Sequence, residues 1–327
     1  MSMGGYEWLD GAWRDDPTKK RNPAARVQAD RYKDLVRISK SGEARWTGRF
    51  AFDAEKLCEP LRRKTPTLYF VNSMSDLFGE GLTNEQIAAV FGVMAMCSQH
   101  TFQILTKRID RAQEWYRWAH ETDAGAVATC LSWAASHGVN TTNQSVPWPL
   151  PNVWLGVSAE RQREYDERTV MLAEIQAAVR WVSVEPMLEG IDLNSTGALE
   201  GGSVDPTTGQ FECLCVGWVV LGGESGVGAR PCAVEWIRGA VDQCLAWGVP
   251  VFVKQLGAHY VDATNGIGGY LASPSPEYGR LTRRLKDKKG ADTSEWPEDL
   301  RVREWPHGFT PPPTERSNSL PFAPEAR

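Results

Sequence analysis

The sequence predicts an α/β protein with a parallel sheet, because strand-like and helix-like segments alternate along the chain. Six short apolar runs are rich in β-branched or aromatic residues and nearly continuous, which is typical of parallel strands buried on both faces. These runs are Thr67–Asn72, Thr101–Thr106, Asn152–Ser158, Val179–Val184, Trp218–Gly222 and Pro250–Lys254. Helical patterns between them are Asn84–Cys97, Ile109–His120, Glu160–Ala178 and Ala233–Trp247. The alternation predicts a parallel α/β barrel or a doubly wound sheet.

Composition bounds the class of protein. The chain has 327 residues, of which 42% are hydrophobic and 24% charged, so it can bury a sizeable core. Its formal net charge of −5 argues against a generally basic surface that binds nucleic acid, but it does not exclude a local basic patch. Seven cysteines without a disulfide framework favour a reducing compartment. With no signal core and no apolar run of about 20 residues, we expect a cytoplasmic protein.

The ends of the chain look peripheral to this core. Residues 1–45 are polar and partly basic, and residues 273–327 are dominated by proline and charge. We therefore expect an N-terminal polar segment over 1–45, a barrel domain over 46–272, and a C-terminal extension with a mobile tail over 273–327. Asp123–Pro151 is interpreted as an insertion, and Ser195–Glu212 as a loop.

Polar or ionisable residues follow every predicted strand. Active sites of parallel α/β folds collect at the carboxyl ends of the strands, so these residues are the candidate site. A strand exit is also a loop, and loops are polar, so a purely solvated role stays open for each of them. In chain order the candidates are Asn72, Ser73, Asp76, Lys107, Arg108, Ser158, Glu160, Glu185, Gly222, Gly223, Glu224 and Lys254.

Several of these residues suggest a chemistry. Gly222 and Gly223 would let a backbone approach a ligand closely, but the segment lacks the Walker lysine and the dinucleotide-binding spacing. Lys107 and Arg108 suit a carboxylate, a phosphate or a nucleic-acid backbone. Lys254 ends an apolar strand, so we expect it to pair with a site carboxylate. The cysteines and histidines show no metal-ligand spacing, and we assign no metal ligands.

Six long motifs carry a family resemblance. They are FVNSMSDLF (Phe70–Phe78), TFQILTKR (Thr101–Arg108), LPNVWLGVSAE (Leu150–Glu160), RWVSVEPMLEGIDL (Arg180–Leu193), VLGGESGVGARP (Val220–Pro231) and VFVKQLG (Val251–Gly257). Over about Trp46 to Pro306, ending in DKKGADTSEWPEDLRVREWP, the chain resembles the phage gene-product 37 / gene-product 68 family. These are radical-SAM-like proteins of bacteriophages and prophages.

The resemblance implies a partial (βα) barrel of the radical-SAM type, with about six parallel strands, flanking helices and peripheral terminal segments. It also implies S-adenosylmethionine at the strand carboxyl ends and a 4Fe-4S cluster that cleaves it to a radical. A nucleic-acid or nucleotide substrate in the host cytoplasm follows by analogy with other radical enzymes.

Roles follow from strand order within the resemblance. Cofactor binding is assigned to Asn72, Ser73 and Asp76 near the methionine moiety, and to Ser158 and Glu160 near the ribose. It is also assigned to Gly222 and Gly223, which with Glu224 would pass close to the adenine or the substrate. Lys107 and Arg108 would bind substrate. Glu185, Glu224 and Lys254 are the candidate catalytic residues.

One departure from the family concerns the cluster. Members begin with a Trp-Asn-Pro stretch and three cysteines that ligate the cluster, whereas this chain begins MSMGGYEW and its first cysteine is Cys58. The cluster ligands are therefore not expected in this chain. Three explanations stay open. The true start codon lies upstream of Met1, the barrel has lost its cluster, or another chain supplies the ligands.

Two other functions stay open. One is a barrel hydrolase that uses Glu160 or Glu185 with Glu224 as acid and base. The other is a non-catalytic barrel that binds nucleic acid or protein through tryptophans and the basic N-terminal segment.

Overall fold

The computed structural model describes residues 2–3, 6–9, 12–15, 35–38, 44–73, 75–142, 146–200, 203–204, 211–212, 216–226, 228–262, 281–283, 285–287 and 289–312. The chain divides into two compact units, Met1–Ala54 with Glu80–Thr83, and Glu55–Gly79 with Asn84–Arg327. The predicted tail beyond residue 312 and Cys213 and Cys215 lie outside the described residues.

The smaller unit is built from short antiparallel strands. Ser2–Met3, Tyr6–Leu9 and Ala12–Asp15 form one three-stranded sheet, and Val36–Ile38 pairs with Ala44–Trp46. Antiparallel neighbours need only short connections, which suits strands of this length.

The larger unit contains a six-stranded sheet in which every pairing is parallel, curled into a half-barrel. Its strands follow one another across the sheet in chain order, and the predicted α/β barrel-type fold is confirmed. They are β1 (Leu68–Val71), β2 (Thr101–Thr106), β3 (Val153–Ser158), β4 (Val179–Val184), β5 (Trp218–Gly222) and β6 (Val251–Gln255).

Helices connect the strands and cover one face of the sheet. They are α1 (Ala54–Leu57), α2 (Glu59–Arg62), α3 (Asn84–Ala95), α4 (Ile109–Glu121), α5 (Gly125–Ser136), α6 (Gln162–Ala173) and α7 (Val234–Trp247). Helix α6 packs on β3 and β4, and α7 packs on β5 and β6. Helix α7 ends at Gly248, whose φ of 66° is the left-handed conformation that glycine adopts without a steric penalty.

Helix α5 was not predicted, because its segment was interpreted as an insertion. It buries Ala126, Cys130 and Ala134 and packs closely on α3. A Cβ at Gly92 of α3 would lie 2.2 Å from the carbonyl oxygen of Cys130, so this glycine permits the close approach of the two helices. The small residues of α5 give its sequence only a weak amphipathic pattern. The same small residues let the helix pack tightly on α3.

The opposite, inner face of the sheet carries an aromatic floor. Trp154, Trp181, Trp218, Val220 and Phe252 form one buried cluster. The indole of Trp181 lies across β3, where a Cβ at Gly156 would stand 2.4 Å from its ring.

The segment that follows β6 completes this cluster. Trp305 stacks on Trp218 with 5.4 Å between ring centroids, and Phe309 meets Trp154 edge-on at 4.6 Å. Val253 N donates to Val302 O, and Glu304 N donates to Val251 O, both at 2.9 Å. Residues 302–304 therefore pair with β6 in an antiparallel sense and cover that edge of the sheet. Three further short strand pairings involve Ser203–Val204 with Phe211–Glu212, and Tyr260–Asp262 with Cys232–Ala233 and Leu281–Arg283.

Candidate functional site

A charged rim lies above the aromatic floor, at the carboxyl ends of the strands. Ser158 of β3 and Ser183 of β4 are neighbours in register, and Val220 and Phe252 continue that row across β5 and β6. Side chains alternate along a strand, so residues two positions further lie on the same face. Two positions further along each chain segment are Glu160, Glu185, Gly222 and Lys254, all of them sequence candidates. The β5–β6 register shifts at this level, so that Gly222 pairs with Gln255.

Glu185 and Lys254 form an ion pair on this face. Lys254 Nζ lies 3.3 Å from Glu185 Oε1 and donates to Oε2 at 3.4 Å, and each side chain is 13% exposed. Ser183 Oγ donates to Oε2 at 3.0 Å, whereas Oε1 accepts no hydrogen bond of acceptable geometry from the described residues. The expected pairing of Lys254 with a site carboxylate is confirmed, and it links the ends of β4 and β6.

A second pair joins β2 to β3. Lys107 Nζ donates to Glu160 Oε1, and Arg168 of α6 contacts the other oxygen at 3.7 Å. Glu160 is largely buried, whereas the Lys107 side chain is 55% exposed. The Glu160 carboxylate is therefore held by two cations, one of which faces solvent.

Asp76 organises the exits of β1 and β2. Thr106 Oγ1 donates to both of its oxygens at 2.8 and 2.9 Å, and the backbone N–H groups of Phe78 and Lys107 each donate at 3.0 Å. Arg108 adds a longer contact at 3.4 Å. With its oxygens occupied by protein donors, Asp76 shapes the loops that carry Lys107 and Arg108.

Glu224 is bound by Arg230 in a bidentate arrangement. Arg230 Nε donates to Oε2 at 2.8 Å and Nη2 to Oε1 at 3.0 Å, and the backbone N–H of Arg230 also donates to Oε2. These hydrogen bonds lower the pKa of Glu224 below its usual value. Glu224 is thus a fixed anion that closes the loop after β5.

Protein atoms occupy the space beside the two glycines that were predicted to approach a ligand. A Cβ at Gly222 would lie 2.7 Å from Glu185 Oε1, and one at Gly223 would lie 2.2 Å from the backbone oxygen of Leu256. Gly257 and Gly290 continue this contact of backbone on backbone, since a Cβ at Gly290 would lie 2.4 Å from Gly257 O. Glycine is needed here for the packing of the β5 and β6 exits.

Asn72 and Ser73 lie in the turn that ends β1. Asn72 has a φ of 56°, and its carbonyl oxygen accepts a hydrogen bond from Ser75 N at 2.9 Å. Asparagine tolerates this left-handed conformation better than most residues. Ser73 is exposed. The hydrogen bonds described above for Glu185 come from Ser183 and Lys254, not from Asn72 or Ser73.

Sequence reasoning missed three residues of this site. Arg168 and Arg230 are the cations that hold Glu160 and Glu224, and only their place in the fold reveals that role. Gln103 is fully buried in the middle of β2, in register with Phe70 and Trp154. Neither Nε2 nor Oε1 of Gln103 has a hydrogen-bond partner in the described structure. A polar residue that interrupts an apolar strand was the available signal.

The cysteines that the structure describes do not fit an iron–sulfur cluster. Cys97, Cys130, Cys232 and Cys244 are buried in different elements, and burial raises the pKa of Cys97 to about 11 and of the other three to about 12. A cluster needs thiolates gathered together. Over the described ranges, no group of three His, Cys, Asp or Glu side chains could hold a metal ion.

Two clefts lie away from the rim. One of ≈ 440 Å³ lies beside α4 and the segment 174–176, and the other, of ≈ 360 Å³, lies between residues 245–250 and 304–307. The segments 174–176 and 245–250 precede β4 and β6, so these clefts belong to the amino ends of the strands.

The fold and the rim define an α/β half-barrel protein with a charge-paired site on its inner face. The chain belongs to the family described as "Protein of unknown function (DUF5131)", whose model matches residues 19–298. Comparison with curated proteins gave no match, and comparison with solved structures gave none either. Among the helices described, none has the length and apolar character needed to cross a membrane.

Proposed function

We propose that this half-barrel binds S-adenosylmethionine at the inner-face rim and is a radical-SAM-type protein related to the phage family that it resembles. The observation that carries the proposal is the rim itself. Carboxylates held in ion pairs, together with hydroxyl groups, lie above the aromatic floor at the carboxyl ends of six parallel strands.

The chemistry of the rim suits this cofactor. Glu160 and Glu185 follow the neighbouring strands β3 and β4, and a sulfonium centre would compete with Lys107 and Lys254 for their carboxylates. Ser158 and Ser183 are neighbours in register, and their hydroxyl groups would be the ones offered to the ribose. Gln103 has unsatisfied hydrogen-bonding capacity inside the barrel, and a buried amide in that state is a recognised sign of an absent water or ligand.

The radical step is not assigned to residues of this chain. The described thiols do not fit a cluster, so any cluster of the resembled family requires cysteines beyond them. The residues of the rim are proposed to bind and orient the cofactor and to exclude water from it.

A nucleic-acid or nucleotide substrate is supported by the outer part of the rim. The side chains of Lys107, Arg108 and Arg230 are between 43% and 55% exposed, and each can turn toward a phosphate. Binding of a short oligonucleotide should then weaken steeply with salt, because phosphate contacts release counterions. Salt-independent binding would speak against this substrate class.

Isothermal titration of the purified full chain with S-adenosylmethionine tests the cofactor. We expect saturable binding at one site, competition by S-adenosylhomocysteine and a rise in the thermal midpoint. ATP serves as the control, because it shares the adenosine but lacks the sulfonium and methionyl groups. Absence of heat and of any thermal shift at millimolar cofactor would reject the proposal.

A carboxylate-dependent hydrolase is the second candidate, since Glu160 and Glu185 follow the neighbouring strands β3 and β4. Its acid would need a raised pKa, whereas the pKa of Glu224 is lowered by Arg230. Hydrolysis of glycosidic or ester substrates that disappears in Glu160→Gln and Glu185→Gln would support it, and activity unchanged in both variants would reject it.

A further inference from the structure

Helix α4 carries a polar stripe at its junction with the end of α6. Four residues at the spacing i, i+3, i+4 and i+7 share one face of the helix. They are Gln113, Tyr116, Arg117 and His120. A helix face next to a neighbouring helix usually carries apolar residues that close the contact. Here the stripe lines the cleft of ≈ 440 Å³, together with the segment 174–176 that follows α6.

The hydrogen-bonding groups of this cleft are largely unused by the protein. Within the described chain, the side chains of Arg117, His120 and Gln176 make no hydrogen bond or ion pair, and neither does the Tyr116 hydroxyl. One exposed polar side chain without a partner is ordinary. Four that line the same cleft form the set of polar groups that orients a ligand in a small-molecule site.

The charges around the cleft sum to a positive value. Arg117 is a lining cation, and Arg180 of β4 donates from Nε to the carbonyl oxygen of the lining Ile175 at 2.8 Å. Glu174 is the lining carboxylate, and one of its oxygens already accepts a hydrogen bond from α4. Two arginines against one carboxylate leave one positive charge, so the cleft matches a ligand with a single negative charge.

We propose that this cleft binds the carboxylate group of a small organic anion. The carboxylate pairs with the Arg117 guanidinium, whose planar fork matches it in a bidentate geometry, and accepts a hydrogen bond from the Tyr116 hydroxyl. The organic part of the ligand packs against Ile175 and the Tyr116 ring. A phosphate dianion would bring a second negative charge beside Glu174. The site shares no residue with the rim, so it does not depend on the proposed function.

Aromatic packing holds the α4 side of the cleft in place. The Tyr116 ring meets Trp115 and Phe91 edge-on, with 5.1 and 5.8 Å between ring centroids, and lies 5.7 Å from Trp148. The His120 ring meets Trp148 edge-on at 5.6 Å. Burial raises the pKa of Tyr116, so its phenol stays a hydrogen-bond donor at neutral pH. A site that is already ordered loses less conformational freedom when a ligand binds.

The experiment is a ligand-detected NMR titration of the full chain with benzoate. Benzylamine keeps the ring but reverses the charge, and inorganic phosphate represents the other class of oxyanion. The variants are Arg117→Gln and Tyr116→Phe. Arg163→Gln removes the same charge from an exposed residue that does not line the cleft, and it is the control. Because Arg117 is exposed and has no partner in the described chain, its variant should keep the thermal midpoint of the unaltered chain.

We expect saturable binding of benzoate that is about tenfold weaker in Arg117→Gln and about threefold weaker in Tyr116→Phe, because each variant removes one donor to the carboxylate. Arg163→Gln should bind benzoate as the unaltered chain does. The proposal is overturned if the unaltered chain shows no saturable binding of benzoate, or if Arg117→Gln binds it unchanged. Benzylamine binding as tight as that of benzoate, or tighter binding of phosphate, would also overturn it.

Discussion

Glu185 at the end of β4 and Gly222 at the end of β5 fit against each other, so that a Cβ at Gly222 would stand 2.7 Å from Glu185 Oε1. The missing side chain therefore sets the position of the carboxylate. Because Glu185 is also the partner of Lys254, this glycine affects where that ion pair lies.

Gly222→Ala is expected to displace Glu185 from its position. The clash involves the end of a flexible side chain, so the cost to the free energy of unfolding should be only about 1–3 kcal/mol. Affinity for S-adenosylmethionine should fall more than stability does. Urea unfolding and calorimetry measure the two effects. Gly217→Ala is the control, since its added Cβ meets no atom closer than 3.7 Å.

Asp76→Asn is expected to destabilise the fold. The carboxylate accepts hydrogen bonds from the Thr106 hydroxyl and from two backbone N–H groups, and bonds to a charged acceptor are the stronger kind. We expect a loss of about 2–4 kcal/mol in urea unfolding. The exposed Asp110, in the first turn of α4, is the matched control, and Asp110→Asn should cost no more than about 1 kcal/mol. A stability loss no larger than that control would contradict the role given to Asp76.

Gln103→Leu is expected to stabilise the chain in the absence of ligand. The buried amide of Gln103 has no partner in the described structure, so removing it abolishes a desolvation penalty of about 1–3 kcal/mol. Gln255→Leu is the contrasting variant, because the Gln255 amide donates to Gly223 O at 2.8 Å and its loss should destabilise. Thermal unfolding without ligand distinguishes the two variants. A lower thermal midpoint for both would contradict the prediction and indicate an ordered water bound to Gln103.

The pairing of Glu224 with Arg230 gives a pH dependence. The pKa of Glu224 is lowered from its ordinary value of 4.5, so the pair stabilises the fold above that pH, and the contribution is lost as the pH falls through the lowered pKa. Arg230→Gln should therefore be less stable than the unaltered chain at pH 7, and the gap should close in acid below pH 4.5. Urea unfolding across pH 2–7 measures it. Arg163→Gln, which breaks the exposed Arg163–Glu167 pair, should show a much smaller gap.

Trp305→Ala is expected to weaken the closure of the inner face. Trp305 stacks on Trp218 and packs beside Phe252, so its removal opens a cavity in the aromatic floor. The expected loss is about 2–4 kcal/mol, below that of a fully buried tryptophan because Trp305 is half-buried. Trp247→Ala, at a residue that is 47% exposed, is the control. Near-equal thermal midpoints of the two variants would show that the segment that carries Trp305 contributes little to the stability of the fold.

The sheet was predictable because its strands are continuous apolar runs. The bounds of β2, β4 and β5 coincide with the predicted runs, β3 begins one residue later, and β1 and β6 differ by one residue at each end. Helix α5 was not predicted, because its alanines and small polar residues give no strong periodic face. Its burial is explained by packing on α3.

The rim was predictable in part. Polar residues after apolar strands identify Glu160, Glu185 and Lys254, since the parallel topology gathers strand ends at one edge. The cations that pair with Glu160 and Glu224 come from a helix and a loop. A local sequence pattern does not show which residues come close together in the fold. The glycines were interpreted as ligand contacts, whereas backbone packing of Gly223 on Leu256 occupies that space.

The order of the strands has a consequence for how the half-barrel is made. Each strand pairs with the one synthesised just before it, so the sheet can lengthen during translation without waiting for distant segments. At every stage the newest strand presents an unpaired edge, which is open to aggregation. Residues 302–304 end this exposure by pairing with β6. The nascent chain should therefore become resistant to self-association once these residues have emerged and paired with β6.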